Sequence, residues 1–127
     1  MINIKPLKAY TDNYIWLLET NEEVSIVDPG DAKPVLDYLS KTNKNIRDIF
    51  ITHHHFDHTA GVPELENIIS GSIYGPKNSY ELINEKVTQG DTLSSLGIKF
   101  EIIEVPGHTL DHIAFYNEEN NILFCGD

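Results

Sequence analysis

The sequence has one cysteine, few basic residues and no long apolar run, and each shortage excludes a class of protein. The single cysteine, Cys125, allows no intrachain disulfide and permits a reducing compartment. No apolar stretch approaches the roughly 20 residues that a transmembrane helix needs, and residues 1–8 lack the apolar segment of a signal peptide. These features predict a cytoplasmic protein that does not associate with a membrane.

Basic residues are outnumbered, because the chain has 9 lysines and arginines against 20 acidic residues and a formal net charge of −11. Proteins that bind nucleic acids normally present a basic face, so a nucleic-acid partner is not expected. The 127 residues and the hydrophobic fraction of 40% suffice for one globular domain with its own core.

The residue that stands out is histidine, which is confined to two short segments. Four of the six histidines lie within residues 53–58, and the other two are His108 and His112. The first segment directly follows the apolar residues 49–51, which are typical of a buried strand. Histidines clustered at the end of a strand predict a functional site, because unrelated surface histidines would be distributed along the chain.

The spacing of these histidines predicts a metal centre. In an extended segment, side chains two positions apart point the same way, so His53 and His55 can face one point while His54 faces away. A helix that begins at about Gly61 would bring Asp57 and His58 round beside them. Imidazole and carboxylate groups suit zinc, iron or manganese. The alternative, a solvated histidine-rich tract, does not account for the strand, the spacing and the Asp–His pair together.

Hydrophobic patterns predict a chain of strands with helices inserted between them. Strands are expected at residues 2–7, 14–19, 24–27, 46–51, 72–74, 98–105, 113–116 and 122–125, and helices at 32–41, 61–69 and 78–82. Cys125 is expected to be a small buried residue of the last strand. This order predicts an α/β protein of the α+β kind, with sheet packed on sheet and helices outside.

Four stretches together resemble a known family. They are THHHFDH at 52–58, TDNYIWLL at 11–18, IVDPGDAKPVL at 26–36 and VPGHTLDHIAFY at 105–116. They are similar to motifs of the glyoxalase II (hydroxyacylglutathione hydrolase) branch of the metallo-β-lactamase superfamily. The resemblance implies the αββα sandwich of that superfamily, with residues 1–127 expected to form its truncated N-terminal portion. The family's helical glutathione-binding domain is expected to be absent.

The same resemblance implies a ligand set for two divalent metal ions, with zinc expected ahead of iron or manganese. His53, His55 and His108 would hold one ion, Asp57 and His58 the second, and Asp127 would bridge them. Asp57 would also be catalytic by orienting the attacking water. For Asp127, the alternative is an ordinary terminal aspartate.

Two further residues are candidates for orienting the ligands rather than binding metal. Asp28 ends an early strand, and a carboxylate beside a ligand histidine is usual in metal sites. Its alternative role is turn chemistry, because aspartate is favoured before Pro-Gly. His112 has no ligand counterpart in the family, so it is expected to be an orienting or structural residue.

The implied activity is metal-dependent hydrolysis of the glutathione thioester S-D-lactoylglutathione to D-lactate and glutathione, a step of methylglyoxal degradation. One alternative is another hydrolase of the same fold, such as a lactonase or a β-lactamase. The other is a non-catalytic metal-binding remnant, because glyoxalase II uses a further histidine for its second metal and all six histidines here are already placed. The sequence makes no prediction of oligomeric state.

Overall fold

The computed structural model describes residues 2–10, 13–77, 79–105 and 111–126, and within them two sheets form. The first sheet contains, in this order, β1 (Asn3–Ala9), β2 (Asn13–Glu19), β3 (Glu23–Val27), β4 (Asn45–Phe50), β5 (Ile73–Pro76) and β6 (Glu85–Val87). Neighbours from β1 to β3 are antiparallel, and neighbours from β3 to β6 are parallel. The carboxyl ends of β3 and β4 therefore meet at one edge.

The second sheet is antiparallel in the part of the chain that the structure describes. Its strands are β7 (Thr92–Ser95), β8 (Ile98–Glu104), β9 (Ile113–Asn117) and β10 (Ile122–Phe124), in the order β10-β9-β8-β7. Alternation along β8 buries Phe100 and Ile102 and exposes Lys99 and Glu101. One face of this sheet therefore packs inward, and the other is polar.

Helices occupy the connections of the first sheet. They are α1 (Ala32–Thr42), α2 (Phe56–Thr59) and α3 (Val62–Leu65), with a 3-10 turn at Glu66–Ile68. The carboxylate of Asp31 caps α1 by accepting a hydrogen bond from the main-chain N–H of Lys33. Asn43 ends the helix in the left-handed conformation, with its N–H on the carbonyl of Leu39. None of the described helices is long and apolar enough to cross a membrane.

The core has two apolar layers because both faces of the first sheet are covered. Leu17 and Leu18 of β2 are fully buried yet point to opposite faces. Leu17 packs under α1 and α3, whereas Leu18 joins the layer between the sheets. In that second layer Phe50 stacks on Phe115, with ring centroids 4.9 Å apart, and meets Phe100 edge-on at 5.3 Å. The predicted α+β class and sheet-on-sheet packing are confirmed.

Two predicted helices differ from the structure. The helix predicted at 78–82 is wrong for residues 79–82, which form turns, because the chain must bring Glu85 back beside Tyr74 to pair β6 with β5. Ile83 is buried in the core as a result. The helix predicted at 61–69 is shorter, since it splits into α3 and the 3-10 turn, and Ile69 is already extended and bridges to Ile46.

Two further features were not expected. Strands β6 and β7 lie in a region whose pattern predicted no strand. Cys125 lies beyond β10 and is exposed, so the prediction of a buried strand residue is wrong. Its side chain is exposed because the alternation that buries Ile122 and Phe124 and exposes Leu123 puts the next residue on the outer face.

Candidate metal centre

The candidate site forms where β3 and β4 end side by side. Asp28 directly follows β3, and Thr52 and His53 follow β4. Parallel neighbours end at the same edge of a sheet, so residues distant in sequence are brought together there. All three residues are buried, with 4% of Asp28 and none of His53 exposed. The sheet topology therefore supplies the first half of the site.

Helix α2 supplies the second half and was not predicted as a separate helix. It carries Asp57 and His58, and the imidazole Nε2 of His58 lies 3.5 Å from Asp57 Oδ2. The ring of His53 lies 4.3 Å from the ring of His58 and 4.7 Å from that of His55, between centroids. The structure thus gathers four of the predicted ligands, and His54 between them points outward and is exposed.

Asp28 connects to two of these histidines through a hydrogen-bonded network. Its Oδ1 accepts the main-chain N–H of Thr52 at 2.8 Å, and its Oδ2 accepts the Thr52 hydroxyl at 2.6 Å. The same Oδ2 accepts Nδ1–H of His58 at 3.0 Å. The left-handed backbone of Asp28, with φ of 52°, directs the carboxylate into this position.

The network determines which imidazole nitrogens can bind a metal. The single proton of the Thr52 hydroxyl goes to Asp28, so towards His53 Nδ1, 2.9 Å away, the hydroxyl can only accept. His53 therefore carries its proton on Nδ1. His58 does the same, because its Nδ1–H donates to Asp28. In both rings Nδ1 carries the proton and Nε2 carries the lone pair, which is the arrangement that metal-binding histidines require.

The donor atoms fit a divalent metal ion. Asp28, His53 and His58 each offer an atom within 4.8 Å of the other two. Two ligands of one tetrahedral zinc lie roughly 3.4 Å apart, given bonds of about 2.1 Å, and Asp57 Oδ2 and His58 Nε2 are at 3.5 Å. Both oxygens of Asp28 already accept hydrogen bonds. This geometry favours an orienting role for Asp28 and ligand roles for Asp57 and His58.

Burial and hydrogen bonding shift two pKa values in directions that suit ligands. Burial, with the neighbouring His58 adding to it, lowers the pKa of His53 from 6.5 to about 4. The hydrogen bond from Asn13 lowers the pKa of the Asp57 carboxyl, against the opposing effect of its partial burial. At neutral pH the imidazole is therefore neutral and the carboxylate is ionised, as metal binding requires.

His112 lies beside the site but is held by other groups. Its ring stacks on that of His53, with centroids 4.4 Å apart. Its Nε2 donates to the main-chain carbonyl of Cys125 at 2.7 Å. A Cβ on Gly126 would approach that nitrogen to 2.8 Å, so His112 and the residues after β10 are packed closely together.

The remaining predicted ligands, His108 and Asp127, lie outside the described residues. A contact lies between His54, after β4, and Asp111, before β9: His54 Nδ1 and Asp111 Oδ2 are 2.8 Å apart. It joins the loop after β4 to the start of the segment that leads into β9.

Main-chain packing fixes the distance between the turn after β3 and the loop of α2. A Cβ on Gly30 would lie 1.8 Å from the carbonyl oxygen of Asp57, and one on Gly61 would lie 2.6 Å from that of Pro29. The N–H of Gly61 donates to the Pro29 carbonyl at 2.8 Å. No side chain fits between these backbones, so glycine is required at both positions.

Sequence reasoning missed Asn13 and Tyr10, which reach the site from the β1–β2 hairpin. Asn13 Nδ2 lies 2.8 Å from Asp57 Oδ2, and the Tyr10 hydroxyl donates to the Gly30 carbonyl at 2.6 Å. For Asn13 the signal was the stretch TDNYIWLL at 11–18, which carried part of the family resemblance without an assigned role for its asparagine; Tyr10 lies just before it and gave no signal.

The class of protein follows from its similarity to known proteins. The chain belongs to the metallo-beta-lactamase superfamily, whose family model matches residues 11–127. Solved structures share the fold: the BLEG-1 B3 metallo-beta-lactamase has a TM-score of 0.83 at 19% identity, covering 97% of this chain and 71% of that chain. ETHE1 from Myxococcus xanthus has a TM-score of 0.73 at 24% identity, covering 92% and 53%.

Relatives of similar sequence show which branch of the superfamily this chain resembles. The chain is 47% identical to a hydroxyacylglutathione hydrolase of Pseudoalteromonas translucida, over 100% of this chain and 50% of that protein. It is 44% identical to the hydroxyacylglutathione hydrolase of Idiomarina loihiensis, over 99% of this chain and 50% of that protein. The predicted similarity to this branch is confirmed, and the chain spans about half the length of the curated relatives it matches.

Proposed function

We propose that this chain forms the metal-binding part of a hydroxyacylglutathione hydrolase, which cleaves glutathione thioesters such as S-D-lactoylglutathione. Identity of 44–47% to proteins of that name, along the whole chain, supports the substrate class. The observation that carries the metal role is the Asp28 network, in which Asp28, His53 and His58 each bring a ligand atom within 4.8 Å of the other two. Membership in the superfamily implies divalent metal ions, and we propose zinc, with iron or manganese as alternatives.

The proposed ligand set combines described residues with two others. His53, His55 and His108 would hold one ion, Asp57 and His58 would hold the second, and Asp127 would bridge the two. Bound metal ions would lower the pKa of water towards neutrality and polarise a carbonyl group.

The chain's own residues would orient the reaction. Asp57, ionised at neutral pH, can accept a hydrogen bond from the attacking water and so direct its oxygen at the thioester carbonyl. Addition of that oxygen to the carbonyl carbon forms the new C–O bond, and collapse of the tetrahedral adduct breaks the C–S bond. One proton of the water passes to the departing thiolate and the other to solvent, so the products are the hydroxy acid as its carboxylate and glutathione as its thiol. Asp28 and Thr52 keep the imidazoles in the required tautomers throughout.

The test is continuous thiol release from S-D-lactoylglutathione by the metal-loaded protein, with Asp57→Ala as the control. Exposed Cys125 contributes one thiol per chain at the start, so the sustained rate is the quantity to compare. We expect release at a rate well above that of Asp57→Ala. Equal rates would refute the proposal. Preference for a lactone or a β-lactam in a panel with the thioester would instead identify another hydrolase of the fold.

The remnant hypothesis has its own measurement on the 127-residue chain. The family's second metal takes a further histidine, and the six histidines of this sequence are already placed. We therefore expect one tightly bound ion per chain by elemental analysis, with weak occupancy of the second site. Two tightly bound ions per chain would contradict this expectation and show that the second site forms without that histidine.

A further inference from the structure

Asn13 makes a two-point contact with Asp57 across the site. Its Nδ2 donates to Asp57 Oδ2 at 2.8 Å and lies 3.3 Å from the main-chain carbonyl oxygen of the same residue. One amide group thus reaches both the side chain and the backbone of Asp57. Such a contact restricts rotation of the carboxylate relative to α2.

The oxygen that Asn13 engages is the one that faces His58. Asp57 Oδ2 lies 3.5 Å from His58 Nε2, at the separation expected for two ligands of one metal ion. A carboxylate oxygen has two lone pairs, so it can accept the amide proton and still offer a pair to a metal. An amide suits this task because it donates without carrying charge, whereas a lysine in its place would compete with the cation.

The hairpin that carries Asn13 is itself fastened to the site. Asn13 pairs with Ala9 at the end of the β1–β2 ladder. The hydroxyl of Tyr10 donates to the carbonyl of Gly30, whose backbone packs directly against the carbonyl of Asp57. Asn13 is therefore held at a fixed distance from α2 by contacts on both sides.

We propose that Asn13 is a positioning residue that holds the Asp57 carboxylate with Oδ2 directed at the metal position beside His58. The end of the β1–β2 hairpin thereby becomes part of the metal-binding machinery. This inference rests on the proposed metal role of Asp57. Partners that orient a ligand typically contribute 10–100-fold to metal affinity.

The test uses Zn²⁺ and Co²⁺ alone as probes, with binding followed by chelator competition and by the visible spectrum of Co²⁺. The binding event to follow is the one that Asp57→Ala abolishes or weakens. We expect Asn13→Ala and Asn13→Leu to weaken this event about 10–100-fold. Asn13→Leu keeps the branched shape and the four heavy atoms of the side chain without the donor, which covers the case in which Asn13→Ala folds poorly. Asn45→Ala is the matched control, because Asn45 is also the first residue of a strand and is exposed.

A double-substitution cycle separates positioning from a purely structural role. If Asn13 acts through Asp57, Asn13→Ala should cause no further loss of affinity in the Asp57→Ala background. The same loss in both backgrounds would overturn the inference. So would unchanged affinity in Asn13→Ala when the Asp57-dependent event is present, and that result would leave the proposed function standing. A wild-type chain with no Asp57-dependent binding would overturn the metal role of Asp57 and the inference together.

Discussion

Asp28 orients two histidines that follow a different strand. Its carboxylate receives three hydrogen bonds, from the main chain and hydroxyl of Thr52 and from His58. A buried carboxylate that accepts several donors is costly to replace, because each donor would lose its partner in a place that water does not reach. The stability and the metal affinity of the site therefore depend on the same side chain.

Asp28→Asn should weaken both properties. The amide would turn one N–H towards groups that are already donors, so we expect a loss of about 1–3 kcal/mol in the free energy of unfolding without metal. We also expect zinc affinity to fall about 10–100-fold. Urea unfolding and chelator competition measure the two effects. Asp37→Asn, which removes an exposed carboxylate, is the control and should change stability by less than about 1 kcal/mol. Unchanged zinc affinity in Asp28→Asn would contradict the orienting role.

His53 should make the metal-free chain sensitive to acid. Its pKa is lowered to about 4 in the folded state, against about 6.5 when unfolded. The unfolded chain therefore takes up a proton first as the pH falls, and stability declines from pH 6.5 down to about 4. Between pH 7 and pH 5 the loss should be on the order of 2 kcal/mol.

Urea unfolding in the presence of a chelator at pH 7, 6 and 5 measures this loss. A His53→Gln variant should lack that part of the pH dependence, although it will be less stable at pH 7. The same slope in the variant and the wild type would show that other groups cause the acid sensitivity.

At the scale of elements, the two sheets are held together by an aromatic cluster centred on Phe50. Phe50 belongs to β4 and is fully buried, stacked on Phe115 and edge-on to Phe100 and Tyr74. His53 follows β4, so packing between the sheets fixes the strand from which residues 53–58, the segment with the candidate metal ligands, extend.

Phe50→Ala should destabilise the chain by about 3–5 kcal/mol, because it removes a large buried ring and leaves a cavity between the sheets. Phe56→Ala is the matched control, since the side chain of Phe56 is 75% exposed, and it should change stability by less than about 0.5 kcal/mol. Chemical denaturation of both variants without metal tests this contrast. A similar small effect in both would mean that the sheets are not coupled through this cluster.

Much of the element order could be predicted because strands have local signals. Runs such as residues 14–19 and 46–51 are apolar and rich in branched residues, and they appear as β2 and β4. Short elements gave weaker signals: α2 has four residues and β6 has three, too few for a period to emerge. The helix predicted at 78–82 is wrong for the described residues 79–82, because pairing between β5 and β6 outweighed the local pattern.

One part of the candidate site could be predicted from the sequence and another could not. The spacing of residues 53–58 predicted a metal site because the ligands lie close together in sequence. The contact between Asn13 and Asp57 could not be predicted, since it depends on how a distant hairpin docks. Outside the site, the burial of Asp48 in β4 could not be predicted either, because it depends on a hydrogen bond from Ser95 of the other sheet, at 2.6 Å. The roles of the metal ligands stay predictions until binding is measured.

At the scale of the whole molecule, apolar side chains line one open cleft. The cleft, of about 410 Å³, lies between the β1–β2 hairpin and β10, and its walls include Ile4, Tyr14, Trp16 and Leu123. Trp16 is 38% exposed and Leu123 is 54% exposed. Exposed apolar groups beside an edge strand favour association between chains.

The 127-residue chain should therefore self-associate, and Leu123→Lys should reduce that association by placing a charge on the edge strand. Sedimentation velocity over a range of protein concentrations measures the effect. Ile68→Lys is the control, because Ile68 is 49% exposed but does not line the cleft. A wild-type chain that stays monomeric at high concentration, or an equal effect of both substitutions, would contradict this prediction.

The contact of Gly30 with Asp57, and that of Gly61 with Pro29, joins main chain to main chain. Alanine scanning removes side chains and leaves such contacts in place, so a scan of the other residues in the two segments would not detect them. The distance between the turn after β3 and the loop of α2 is consequently insensitive to most single substitutions. An enlargement of either glycine would push the two segments apart, and with them Asp28 and His58, which must stay within hydrogen-bonding distance.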